Sequence, residues 1–172
     1  MSKSSILEPV ISFLGIDQLS YLKTVIFFLI VNFSVLGIGS LLMGEGAKSE
    51  WYLNLNKAPW TPDGWVFGVA WTTIMICFSF YMAYLFQHNF GRGTIWALFL
   101  VQVILNASWN LIFFRMHNTQ FALVIIAGLT VVVAIFLFNY LRDLRIKSLL
   151  IIPYLLWLLV ATSLNAYIVF RN

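Results

Sequence analysis

Five stretches of this chain contain no aspartate, glutamate or arginine, and their only lysine is Lys23 at the edge of the first. They run approximately Leu22–Met43, Trp65–Phe86, Thr94–Phe114, Thr119–Leu141 and Ser148–Phe170. Each has about the 20 residues that a helix needs to cross a hydrocarbon core about 30 Å thick. Lipid offers no partner to an unpaired backbone amide, so runs of this kind must be helical. The fold class that follows is an all-α membrane protein, a five-transmembrane-helix bundle with a long structured loop between helices 1 and 2. Composition agrees: charged residues make up 9% of the chain and mean hydropathy is +0.93, where a soluble domain carries about a quarter charged residues.

The breaks between runs carry the charges. Three are short, His88–Gly93, Arg115–Asn118 and Arg142–Lys147, and links of that length predict antiparallel neighbours in one compact bundle with sequential contacts. Residues 22–172 therefore read as a single membrane domain. Residues 1–21 precede it as an extension, for which both an interfacial helix, with Ile6, Leu7, Val10, Ile11, Phe13 and Leu14 at helical spacing, and a disordered tail fit. Lys3, Lys23, Arg92, Arg142, Arg145 and Lys147 fall on one side, and Lys48, Lys57, Arg115 and Arg171 on the other. The excess places the N-terminus inside and the C-terminus outside. Basic residues spread in this way report topology, so the formal charge of +4 does not indicate nucleic acid. A single cysteine, Cys77 within an apolar run, excludes a disulfide framework and cysteine-based metal or haem attachment.

The remaining break, Gly44–Gly64, is about twenty residues long, and a loop of that length in a compact domain is either functional or disordered. Trp51 and Trp60 within it argue for order. Thr61 is placed to cap the second helix, with Pro62 in its first turn and Asp63 at the positive end of its dipole. Interfacial anchoring accounts for Trp51, Trp60 or Trp65 taken singly. Trp71 lies about two turns inside the span, below that belt.

Polar residues inside the spans mark a second pattern. Gln102, Asn106, Trp109, Asn110 and Phe113 share one face of the third helix at i, i+4, i+7, i+8 and i+11. Amides in hydrocarbon need partners, so this face points into the bundle, either as inter-helix hydrogen bonding or as the lining of a polar cavity. In the fifth helix, Pro153 predicts a kink near Leu149–Pro153. Trp157, Ala161, Leu164 and Asn165 share a face there, where a small alanine one turn from tryptophan suits either a flat ligand or close packing. Asn32, Gly37 and Ser40 in the first helix, with Ala127 and Ala134 in the fourth, read as packing positions.

In order along the chain, WYLNLNKAPW, PDGWVFGVAW, NASWN followed by Phe113 and Phe114, and PYLLW with the downstream ATSLN resemble the translocator protein / tryptophan-rich sensory protein (TspO/MBR) family over about residues 25–170. This chain departs from the family pattern at Ala58, where proline is usual, at Asp63, in place of the second of two prolines, and at Met75, where tyrosine is frequent. The resemblance implies a membrane sensor or carrier, often dimeric, with a pocket beneath the first loop that binds tetrapyrroles such as protoporphyrin IX or haem as ligand, with no required cofactor. By motif match, Trp71 and Trp157 look like the tryptophans flanking the tetrapyrrole, and Tyr52, Asn106 and Ala161 like further pocket positions. Trp109 and Asn110 belong to the same motif face, and Lys57 is placed for a propionate. The resemblance also admits light-dependent oxidative porphyrin breakdown, in which Trp71 and Trp157 would be the catalytic residues. It admits sterol binding too, through the permissive pattern Leu164, Tyr167 and Arg171. No conventional catalytic motif is present. His88 and His117 fall at opposite membrane faces, about 30 Å apart, so they do not clamp one iron and no metal site is expected.

Overall fold

The computed structural model describes residues 16–88 and 91–172, with side chains from Gln18 onward. The described residues form α1 (Ile16–Leu42), a 3-10 turn (Gly46–Lys48), α2 (Glu50–Leu53), α3 (Gly64–Gln87), α4 (Arg92–Asn110), a π turn (Leu111–Arg115), α5 (Thr119–Leu144), a 3-10 segment (Arg145–Ile151) and α6 (Ile152–Arg171). Among these residues, four continuous segments are long and apolar enough to cross a membrane: Gln18–Lys48, Gly64–Gln87, Arg92–Arg115 and Thr119–Arg171. The last contains 53 residues and doubles back, since α5 and α6 pack along one another. The carbonyl of Thr119, at the start of α5, accepts a hydrogen bond from Asn165 near the end of α6 (2.9 Å).

Helices α3, α1, α4, α5 and α6 pack in that order as a ring, with α1 between α3 and α4. The expected sequential contacts hold for α1 with α3, α4 with α5 and α5 with α6, while α3 and α4 meet through aromatic rings, Phe86 with Trp96 (4.9 Å) and Phe78 with Phe99 (6.2 Å), rather than by close backbone approach. A short link fixes the ends of two helices and says nothing about their length. Here Phe28 of α1 packs between Phe86 and Phe99 at ring-centroid distances of 5.2 and 5.1 Å. Between helices proper the ring is least closely packed where α6 meets α3, while the Arg145–Ile151 segment leading into α6 packs along the far part of α3.

Side chains fill its middle. Phe78 meets Phe136 and Tyr154 edge-on at 5.8 and 5.3 Å, and the Tyr81 hydroxyl donates to the Phe136 carbonyl at 2.6 Å. Lipid tails are as apolar as these rings, so burial alone does not drive their association. Dispersion and inter-helix hydrogen bonds do. Asn32 is one such bond, donating to Ser79 (2.9 Å), so its packing role is confirmed. The close approach in α1 is at Gly39, however, not Gly37 or Ser40: a Cβ on Gly39 would lie 2.8 Å from the Asn110 amide, whereas one on Gly37 meets nothing within 4 Å.

Local signals at the helix ends resolve differently from expectation in three places. α1 begins at Ile16, ahead of Leu22; the rest of the predicted extension, residues 1–15, lies outside the described residues. Thr61 does not cap α3. Its hydroxyl donates back to the Ala58 carbonyl (2.7 Å), closing a turn, and Asp63 occupies the capping position without a side-chain bond. Pro153 marks a break at the expected place, but as a change of helix type: it sits in the first turn of α6, where the 3-10 segment gives way to α-helix, rather than within one continuous α-helix. The Arg145–Ile151 segment precedes it in 3-10 geometry, after Arg145 turns the chain with a positive φ of 49°.

Candidate functional site

The segment between α1 and α3 is ordered by its own sequence. Ser49 caps α2, its hydroxyl accepting from the Tyr52 N–H (3.3 Å). Lys57 caps the other end, donating to the carbonyls of Tyr52 (3.1 Å) and Leu53 (3.2 Å) with its ammonium 4.8 Å from the Tyr52 ring centre. Trp51, Tyr52 and Leu55 pack on a cluster formed by Ile112, Phe113, Ala122 and Ile168. Trp51 also stacks on the His117 imidazole, 4.1 Å apart and 13° from parallel. Tyr52 lies against Phe114 (5.4 Å), and burial pushes its phenol above the ordinary tyrosine range. Trp51 is thus a packing residue of the bundle end, while Trp60 and Trp65 are exposed at 54% and 70%.

Residues 56–63 then run back along α6 as a strap. The Asn56 N–H donates to Asn172 Oδ1 (2.9 Å). The Trp60 indole donates to Ser163 (3.2 Å) and meets Tyr167 edge-on (5.4 Å). Phe67, in the first turn of α3, meets Trp157 edge-on (5.2 Å). The contacts step down α6 from 172 to 157, about 22 Å at 1.5 Å per residue.

Below the strap, at the weak seam of the ring, Trp157 lines a groove of about 280 Å³ with Ala70, Thr73, Ile74, Pro153 and Leu156. Its indole N–H is buried and has no hydrogen-bond partner. Trp71 is half-buried and meets Tyr154 edge-on at 6.1 Å. The two tryptophans do not stack on each other; they stand on either side of the α3–α6 contact.

Across the ring, α4 and α6 are held apart and joined by side chains. Gln102 donates to the Tyr154 hydroxyl (2.9 Å), and the Trp109 indole donates to Asn165 Oδ1 (3.1 Å). Asn106 on α4 and Ala161 on α6 lie between these two ties, both buried. Asn106 makes no side-chain hydrogen bond among the described residues. The amide face of α4 therefore does point inward, but its members part company: Asn110 reaches Gly39 on α1, while Gln102 and Trp109 reach α6. Besides Asn106 and Ala161, six of the sequence-predicted site residues fall into two groups. Tyr52, Lys57, Trp109 and Asn110 gather at the bundle end under α2, and Trp71 and Trp157 flank the seam. Of the sterol pattern, Leu164 is buried in the bundle, while Tyr167 lies under Trp60 with the Arg171 guanidinium 5.6 Å from its ring centre. His88 follows α3 and His117 follows α4, at opposite ends.

Sequence reasoning passed over several contributors. The Ser49 cap had a readable signal, a serine directly before Glu50 and the rest of α2. The Asn56–Asn172 tie, the Ser163 partner of Trp60 and the Trp51–His117 stack had none, because each joins residues far apart in a chain whose ring order is not written in its loops.

The described fold is that of a multi-pass integral membrane protein, with long apolar helices enclosing an aromatic interior and one end covered by an ordered segment. Residues 25–171 match the model of the TspO/MBR family, and the chain belongs to that family. It is 34% identical over 116 residues to a tryptophan-rich sensory protein of Cereibacter sphaeroides, covering 67% of this chain and 73% of that one. It is 32% identical over 135 residues to a tryptophan-rich protein TspO of Archaeoglobus fulgidus (78% and 87% covered). It is 33% identical over 134 residues to a human translocator protein (75% and 77% covered).

Proposed function

We propose that this protein crosses the membrane five times, with α5 and α6 as separate spans, and binds a tetrapyrrole such as protoporphyrin IX or haem as a sensor or carrier. The ligand enters at the α3–α6 seam beneath the strap. The observation that carries the reading is the seam itself: the weakest contact of the ring is flanked by Trp71 and Trp157, holds an indole N–H without a partner, and lies where the 56–63 strap ends. A porphyrin is a flat, largely apolar ring with carboxylates at one edge, and it calls for aromatic faces within and donors at the rim. Trp71 and Trp157 supply the faces, Asn106 is a buried amide with free hydrogen-bonding capacity, and Ala161 leaves room beside it. Pockets for ligands of this size run to about 300–1,000 Å³, so the groove must widen. The least closely packed seam is where α3 and α6 part most easily.

The reading is tested by titrating protoporphyrin IX into the detergent-solubilised protein and following quenching of tryptophan fluorescence. Saturable quenching is expected, with affinity lowered about tenfold or more by Trp157→Ala or Trp71→Ala in protein whose helical circular dichroism is unchanged. Wild-type affinity in both variants would place the ligand elsewhere.

A further inference from the structure

At the opposite end of the molecule, a second groove of about 260 Å³ lies on the outer surface between α1 and the adjoining ends of α3 and α4, lined by Ser20, Lys23, Thr24, Phe28, Phe86 and Trp96. Its floor is aromatic. Phe86 and Trp96 meet edge-on at 4.9 Å, and Phe27 borders it with its ring 6.1 Å from Trp96. Its rim is polar on one side only, where Ser20, Lys23 and Thr24 fall within five residues of α1. The Lys23 ammonium has no carboxylate partner among the described residues. Phe27 and Trp96 are 47% and 43% exposed, so in a bilayer the floor faces acyl chains while the rim lies at headgroup depth.

Charge favours one occupant. Among residues with described side chains, this end carries Lys23, Arg92, Arg142, Arg145 and Lys147 against Asp143, an excess of four positive charges. The loop end carries Lys48, Lys57, Arg115 and Arg171 against Glu45, Glu50 and Asp63, an excess of one. The Thr24 hydroxyl is already given to the Ser20 carbonyl (2.9 Å), but an ammonium unpaired among the described residues, with the Ser20 hydroxyl beside it above an aromatic trough at the more basic end of a membrane protein, matches a phosphate headgroup with an acyl chain laid below it. We propose that this groove is a binding site for one anionic phospholipid of the surrounding leaflet, with Lys23 holding the phosphate and Phe86 and Trp96 the chain. It is separate from the tetrapyrrole site and does not depend on it.

The test uses the full-length protein in vesicles of phosphatidylcholine mixed with phosphatidylglycerol, either lipid carrying brominated acyl chains. Bromine quenches indole on contact, and the difference between wild type and Trp96→Phe isolates the Trp96 signal. Quenching of Trp96 by brominated phosphatidylglycerol is expected to exceed that by brominated phosphatidylcholine about fivefold in relative affinity, the effect of a single lysine at an anionic headgroup. The preference should vanish in Lys23→Gln and survive added inorganic phosphate. Three results would overturn the proposal. Equal quenching by both lipids would show no headgroup selection, and a preference persisting in Lys23→Gln would place the selecting charge elsewhere. A Trp96 that neither lipid quenches would mean that the chain itself covers the groove.

Discussion

Asn165 is the residue on which the loop end of the ring depends most. Its side chain is 1% exposed, accepts from the Trp109 indole at 3.1 Å and donates to the Thr119 carbonyl at 2.9 Å, so that one amide joins α4, α5 and α6. Asn165→Leu keeps the volume and removes both bonds. Inter-helix hydrogen bonds in membranes are worth about 0.6–1.7 kcal/mol each, so the loss is about 1–3 kcal/mol, with the part-buried indole N–H and carbonyl left unpaired. For a chain of this size each kcal/mol moves the midpoint by about 2–4 °C, and thermal unfolding in detergent, followed by circular dichroism, should show a fall of about 2–12 °C. Trp109→Phe breaks only the shared bond, so the double variant should be less destabilised than the sum of the two singles by about 0.6–1.7 kcal/mol. A single-variant effect within the ±0.5 kcal/mol of an ordinary surface change, or strict additivity in the cycle, would refute the claim that this amide ties the helices.

Gly39→Ala places a methyl 2.8 Å from the Asn110 amide; that amide can swing aside, so the cost should be near the lower end of overpacking, about 1 kcal/mol. Gly37→Ala, where nothing lies within 4 Å, should be neutral or slightly stabilising, and equal midpoints for the two variants would contradict the packing of α1 on α4. Burial raises the Tyr52 phenol, which lies beneath the Lys57 ammonium. The stabilisation from its neutral form is then complete below the unfolded value of about 10 and is lost as pH rises through the folded value. The 295 nm difference titration between wild type and Tyr52→Phe should accordingly have its midpoint above 10, and a midpoint at 10 would mean that the ring is not buried.

Much of the helical content was legible because the requirement that buried backbone be paired acts on sequence directly. The inward face of α4 was legible for the same reason, applied to Gln102, Asn106 and Asn110. Boundaries were less so. Pro153 announces a break near residues 149–153, but proline forbids the same backbone bond whether it interrupts a helix or begins one, and only the 3-10 path of residues 145–151 distinguishes the two. Thr61 was read as a cap because its hydroxyl suits one, yet the Ala58 carbonyl was nearer. The ring order was not legible: α1 lies between α3 and α4 through Phe28, Phe86 and Phe99, an arrangement that no loop length encodes. Hence Trp71 and Trp157 could be singled out, but not the seam between them.

The central claim, a ligand seated at the α3–α6 seam beneath the strap, is tested most directly by hydrogen exchange at the amides of residues 56–63 with and without protoporphyrin IX. Asn56 and Trp60 already hold the strap to α6 through Asn172 and Ser163, so exchange should be measurable without ligand and slow further when ligand fills the space below. Slowed exchange in this segment, lost in Trp157→Ala, is the predicted result. Identical exchange in the two states, at protoporphyrin concentrations that saturate tryptophan quenching, would contradict it by showing that the ligand binds without engaging the strap.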